Sequence, residues 1–184
     1  DTYRDITVPG EAFSQMQAKV ENLDYKKFKT VVVDSMLFMM LGIMNRVLNL
    51  AGRPITNAPQ LQDYMARQSL VKELVSRMCA KPANLIWTCM EGDSKDEVTG
   101  RVFKTLEMDP KLVPVIPGYF NEVWHTEVIQ LTGKDPQYMV RTRSDMVYAA
   151  RTTYRSLGTL EPQSTIWQKI LLERNPTNPT NPKQ

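Results

Sequence analysis

A β-branched run closing on a carboxylate and a hydroxyl, Thr30-Val31-Val32-Val33-Asp34-Ser35, is the stretch of this 184-residue chain best suited to chemistry. An aspartate leaving the carboxyl end of a buried parallel strand sits where open α/β sheets bind ligands. It is suited to holding the Mg²⁺ of a bound nucleotide, the arrangement of a Walker B strand. Three consecutive valines predict a strand covered on both faces. The alternative is an Asp that caps the helix that follows. The glycine-rich companion loop, G-x-x-x-x-G-K-[ST], occurs nowhere in the sequence.

Other chemistry is thinly represented. His125 is the one histidine, which excludes multi-histidine metal sites and leaves no Ser/His or Cys/His triad; a histidine inside a strand reads as structural. Cys79 and Cys89 lack C-x-x-C spacing, fall on an expected helix and an expected strand, and read as buried free thiols in a reducing compartment. With 23 Lys+Arg against 20 Asp+Glu the net charge is +3, so any argument for nucleic acid must come from local clustering. The longest apolar stretch, Met36 to Met44, is too short to span a bilayer and no secretory signal opens the chain, which reads as a cytosolic or virion protein with no membrane partner. The sequence opens on Asp1 rather than Met, as a processed chain or one with residues upstream does.

The elements that must position these residues follow from periodicity. Phe13, Met16, Val20 and Leu23 recur at helical spacing, as do Leu61, Tyr64, Met65, Leu70, Val71, Leu74, Val75 and Met78 between Gln60 and Cys79. Met36 to Leu50 is apolar almost all round, which predicts a buried helix; its methionines are core filling or a pliable binding surface. Asn84 to Glu91 predicts a second buried strand, completing a strand–helix–strand unit with parallel strands and a right-handed crossover. A polar loop from Gly92 to Glu97, a short strand or hairpin over Val98 to Leu106, and two strands over Asn121 to Leu131 and Gln137 to Thr142 follow. The short connection between the last two makes them antiparallel neighbours. Ile166 to Leu172 predicts a final helix. The repeat Asn175-Pro176-Thr177-Asn178-Pro179-Thr180-Asn181-Pro182 has no apolar residue to bury, and predicts a tail that is extended or ordered by a partner. The organisation expected is one domain over residues 1–174 and a tail over 175–184.

In order, these pieces resemble RecA-type ATPases, and more closely the phage-encoded nucleotide-binding proteins of the AAA/RecA kind that act as single-strand-annealing recombinases. The residues carrying the resemblance are Phe28 to Ser35, Asn84 to Glu91, Lys95 to Gly100, Phe120 to Trp124 and Tyr138 to Thr142, within roughly residues 11 to 172. It implies a RecA-like P-loop-NTPase three-layer sandwich, mostly parallel with antiparallel C-terminal strands, whose first strand and phosphate loop are absent from this chain. The implied function is an ATP-binding recombinase core on single-stranded DNA, an ATPase only if a phosphate loop lies upstream, with ATP and Mg²⁺ then as cofactors. The alternative is a non-catalytic structural or interaction module of a phage particle or repair complex. Homo-oligomers or phage proteins are the implied partners, and the host cytoplasm or a virion the implied location.

Residue by residue, the resemblance gives Asp34 the Mg²⁺-bound water and Ser35 its orientation. Met90 stands where the family often has a polar γ-phosphate sensor, and a thioether cannot donate a hydrogen bond. Glu91 reads as a switch-loop contact or a solvated strand end. Arg151 falls where the family reaches a neighbouring subunit's nucleotide, a role for phosphate charge in trans; the alternative is a plain surface arginine. The segment from Gly92 to Phe103 matches the DNA-contacting loop, with Lys95, Arg101 and Lys104 on phosphates and Phe103 stacking on a base; Asp93, Asp96 and Glu97 leave it nearly neutral. Independently of the resemblance, Arg141, Arg143, Arg151 and Arg155 form a denser basic cluster, in which Arg141 and Arg143 share one face of their strand by alternation and make a patch if that face is open.

Overall fold

The structure is a computed structural model and describes residues 10–175. It is a mixed α/β chain of two compact units, one formed by residues up to Gly92 together with Leu106–Tyr119, the other by Asp93–Thr105 together with the residues from Phe120 onward.

In the first unit, α1 (Glu11–Glu21), α2 (Met36–Leu50) and α3 (Leu61–Cys79) form where helical periodicity predicts them, and α2 packs against both of the others. Gly10 opens α1 in the left-handed region at φ 79°, and a Cβ there would stand 2.7 Å from the backbone nitrogen of Arg46 on α2, so glycine permits the close approach of the two elements. The continuous apolar character of α2 is accounted for only on one side: Met36, Met39, Met40, Ile43, Met44, Val47 and Leu48 are buried, whereas Phe38, Leu41 and Leu50 are exposed. Val71, Leu74, Val75 and Met78 of α3 join them, with Leu112 and Ile116 from the segment Leu106–Tyr119. At the head of α3, Asp63 closes a capping box with Gln60 and also accepts a charge-assisted bond from Arg53, which holds its carboxyl below the usual range.

The strands β1 (Thr30–Val33) and β2 (Asn84–Trp87) pair in parallel, Thr30 opposite Asn84 and Val33 opposite Trp87, with α2 and α3 as the connection. The parallel pairing agrees with the expectation; burial on both faces does not. Val31, Val33, Leu85 and Trp87 are half-buried, whereas Val32 is 56% and Ile86 39% exposed. A sheet of two strands alternates its side chains, and among the described residues only one of its faces is covered. The expected strand Asn84 to Glu91 also divides. After Trp87 the chain leaves β1, and Glu91–Lys95 forms β3, paired with β4 (Val102–Leu106), where a polar loop was expected. The turn between them is built by Asp96, whose carboxylate accepts from the backbone N–H of Val98 and Thr99 at 2.9 Å each, and by Gly100 at φ 70°.

The second unit holds an antiparallel sheet in the order β5 (His125–Ile129), β6 (Gln137–Arg141), β7 (Leu160–Pro162). His125 lies opposite Arg141 and Ile129 opposite Gln137, the antiparallel arrangement that the short connection demands. The strand expected from Asn121 is shorter, because Val123 instead exchanges both backbone bonds with Arg151 in an isolated bridge. Strand β7 has no apolar alternation to announce it. Its Glu161 is buried, accepting from Gly158 N–H at 2.6 Å and from Lys169 at 2.6 Å. Helix α4 (Gln163–Arg174) is longer than the apolar run Ile166 to Leu172 and seats Ile166 and Ile170 against Val140 and Leu157. The proline-repeat tail lies, from Pro176 on, outside the described residues.

Ile43, fully buried on α2, is the residue on which first-unit stability is most simply tested. Ile43→Ala is expected to lower unfolding free energy by roughly 2–5 kcal/mol, and Val32→Ala on the open sheet face by less than about 1 kcal/mol. Urea denaturation followed by circular dichroism measures both, and equal losses would contradict the one-sided sheet.

Candidate functional site at the carboxyl end of the parallel strands

Backbone bonds carry the register of β1 and β2 past the last strand residues. Thr88 N–H donates to the Val33 carbonyl at 3.0 Å, and Met36 N–H to the Thr88 carbonyl at 2.9 Å. This interlock brings the first turn of α2 against the end of β2, and Asp34 and Thr88 side by side. The Thr88 hydroxyl donates to Oδ1 of Asp34 at 2.5 Å, so one carboxylate oxygen is engaged while the exposed residue keeps Oδ2 open. The helix cap is Ser35, not Asp34, and no side chain closes it. The Ser35 hydroxyl is buried and makes no hydrogen bond. A buried hydroxyl without a partner, beside a carboxylate with an open oxygen at a helix N-terminus, is a polar arrangement that protein groups alone do not complete.

Among the described residues no three His, Cys, Asp or Glu groups gather as a metal cage. The donor set does suit Mg²⁺ held through its water shell by one carboxylate, with the remaining ligands from a phosphate, the usual manner in which this ion binds. Thr88 was not singled out from the sequence, although its place after β2, inside Trp87-Thr88-Cys89-Met90, carries the signal: a hydroxyl one residue past the strand that neighbours the Asp34 strand.

Around this pair, Met90 is 50% exposed and Glu91 is exposed at the start of β3. Gly92 is buried where the chain crosses Glu107, and a Cβ there would meet the Glu107 Cα at 3.3 Å. Cys89 is half-buried, its thiol 3.6 Å from the Glu107 carbonyl, and burial pushes it up to about 11. Cys79, expected to be buried, is exposed at the end of α3. One turn into α2, Leu37, Met40 and Leu41 border a cavity of about 220 Å³ floored by the ion pair of Arg67 and Asp109. That is smaller than the roughly 300–1,000 Å³ of typical ligand pockets.

Of the sequence candidates, Asp34, Ser35 and Glu91 belong to the first unit, while Arg151, Lys95, Arg101, Phe103, Lys104, Arg141 and Arg143 belong to the second. Arg151 donates to the Phe120 carbonyl beside its bridge to Val123. Lys104 pairs with Asp93 at 2.7 Å, Arg101 is exposed, and Phe103 is half-buried. Arg141 does not join an open basic face: it is 15% exposed, pairs with Glu127 at 2.9 Å and Asp145 at 2.7 Å, and lies over the Tyr148 ring, which His125 also contacts. Backbone N–H bonds from Tyr148 and Val147 hold Asp145 below the usual carboxylate range. Arg143 is exposed, its guanidinium capped by the Leu157 carbonyl rather than by an acid.

The two thiols give a direct check on this geometry. Alkylation consumes thiolate, so a thiol raised to about 11 reacts slowly near neutrality and accelerates as pH climbs toward that value. Iodoacetamide at about pH 8 is therefore expected to modify exposed Cys79 well before Cys89. Peptide mass mapping reads the order, and the reverse order would contradict the placement of Cys89. No protein-family model, curated protein or solved structure matches the chain.

Proposed function

We propose that the chain is the Walker B side of a RecA-like nucleotide-binding core of phage type acting on single-stranded DNA. The observation that carries this reading is the Asp34–Thr88 pair at the carboxyl ends of adjacent parallel strands, at the head of α2. In it, Asp34 holds a water of the Mg²⁺ that accompanies ATP, Thr88 fixes the carboxylate, and the Ser35 hydroxyl supplies a further polar contact. When bound, Mg²⁺ would neutralise phosphate charge. The glycine-rich loop that makes most phosphate contacts in such proteins is not among these 184 residues, so residues 1 to 184 alone bind nucleotide weakly. The second reading, a non-catalytic module with the same architecture, is favoured by Met90, whose exposed thioether cannot donate to a γ-phosphate.

Weak metal–nucleotide binding is visible by paramagnetic broadening. Mn²⁺·ATP is expected to broaden the amide resonances of Asp34, Ser35, Met36 and Thr88 first, and Asp34→Asn to abolish the effect while the remaining spectrum is preserved. Broadening centred elsewhere, or unchanged in Asp34→Asn, would remove the nucleotide reading.

The DNA half of the proposal is tested by salt dependence. Lys95→Ala and Arg143→Ala are each expected to reduce the salt slope of oligonucleotide binding by about one, because each removes a cation able to meet a phosphate. Arg141→Ala is expected to leave that slope unchanged and to lower Tm, since its charge is already spent on Glu127 and Asp145. Fluorescence anisotropy at several salt concentrations decides, and salt-independent or absent binding favours the non-catalytic module.

A further inference from the structure

Helix α4 buries Ile166 and Ile170 yet leaves Trp167 53% and Leu171 58% exposed. Trp167, Leu171 and Arg174 stand at i, i+4 and i+7 and so form one stripe along a single flank. At one end of this stripe the Trp167 ring meets Trp124, centroids 5.6 Å apart. At the other, the Arg174 guanidinium lies 5.4 Å from the centre of the Tyr154 ring. Trp124 and Tyr154 both pack on the core of the second unit, and the Trp124 indole N–H is held by Glu122 at 3.0 Å, so the aromatic walls are fixed in place. The result is an apolar flank with tryptophan at one end and tyrosine at the other, about 10 Å long by the helical rise from Trp167 to Arg174.

The chain itself carries a segment matched to such a surface. From Asn175 the sequence repeats Asn-Pro-Thr, with Pro176, Pro179 and Pro182 three residues apart. A polyproline II helix has three residues per turn, so these prolines would line one edge at intervals of about 9 Å, close to the length of the α4 flank. Proline-rich segments held in this conformation dock on aromatic-lined grooves because little entropy is left to lose. Asn175 caps α4 directly after Arg174, so a segment that starts there would have to double back to lie along its own flank, whereas the flank of another molecule demands no reversal. The geometry points to the α4 flank as the docking site for the Pro176–Lys183 segment of a second copy of this chain. The contact is heterologous, tail to flank, and so builds a ring or a filament.

Sedimentation velocity over a dilution series of the full chain tests this. The triple variant P176A/P179A/P182A breaks the proline edge without shortening the tail, and Trp167→Ala removes the main wall of the flank. Each is expected to weaken self-association by about tenfold or more, with unchanged far-ultraviolet circular dichroism. Mixing the two variants is expected to restore association, because the intact tail of one meets the intact flank of the other; this also guards against a Trp167→Ala variant that merely misfolds. A full chain that stays monomeric, or associates equally well in both variants, overturns the proposal. Failure of the mixture to associate, with a red shift of tryptophan emission in the triple proline variant, would assign the flank to the tail of its own molecule and overturn the second-copy assignment.

Discussion

The parallel register of β1 with β2 is the constraint on which the first unit depends. Two strands joined by a crossover of this length are not paired by local turn chemistry; α2 and α3, which pack on each other through buried methionines, valines and leucines, span the connection between them. Once the register is set, the bonds of Thr88 to Val33 and of Met36 to Thr88 leave little freedom at the carboxyl end. Asp34 meets Thr88, and Ser35 turns inward at the head of α2. A one-residue slip would send Asp34 and its neighbours to opposite faces and dissolve the pair.

The second unit rests on a different economy of charge. Glu161 and Glu122 are acids committed to structure, the first bonded to Gly158 and Lys169, the second to Thr153 and the Trp124 indole. Hydrogen bonds hold both carboxyls below their usual range despite the opposing pull of burial. Arg141 belongs to the same economy, set between Glu127 and Asp145 and over Tyr148. Basic residues close in sequence therefore differ in availability: Arg143 faces solvent while Arg141 is spent. A net charge of +3 says nothing about this division.

Open apolar surface is a common property of the two units, each considered by itself. Among the described residues, Val32 and Ile86 lie on an uncovered face of a parallel sheet, a kind of sheet that ordinarily has both faces covered. Trp167 and Leu171 do the same on α4. Among the described residues no helix is long and apolar enough to cross a membrane.

Much of this was legible in the residues alone. The spacing of Phe13, Met16 and Val20, the apolar continuity of Met36 to Leu50 and the periodicity up to Met78 each specify a helix because 3.6-residue patterning is local. The β-branched run ending in Asp34 specifies a strand with a carboxylate at its end for the same reason, and the short connection before Gln137 dictates an antiparallel pair. Strand β7, the division of Asn84 to Glu91 into two strands, the exposure of Val32, the pairing of Thr88 with Asp34 and the withdrawal of Arg141 into ion pairs were decided only by tertiary structure. Each of these depends on which residue far along the chain arrives alongside, and a pattern of neighbours in sequence carries no record of that.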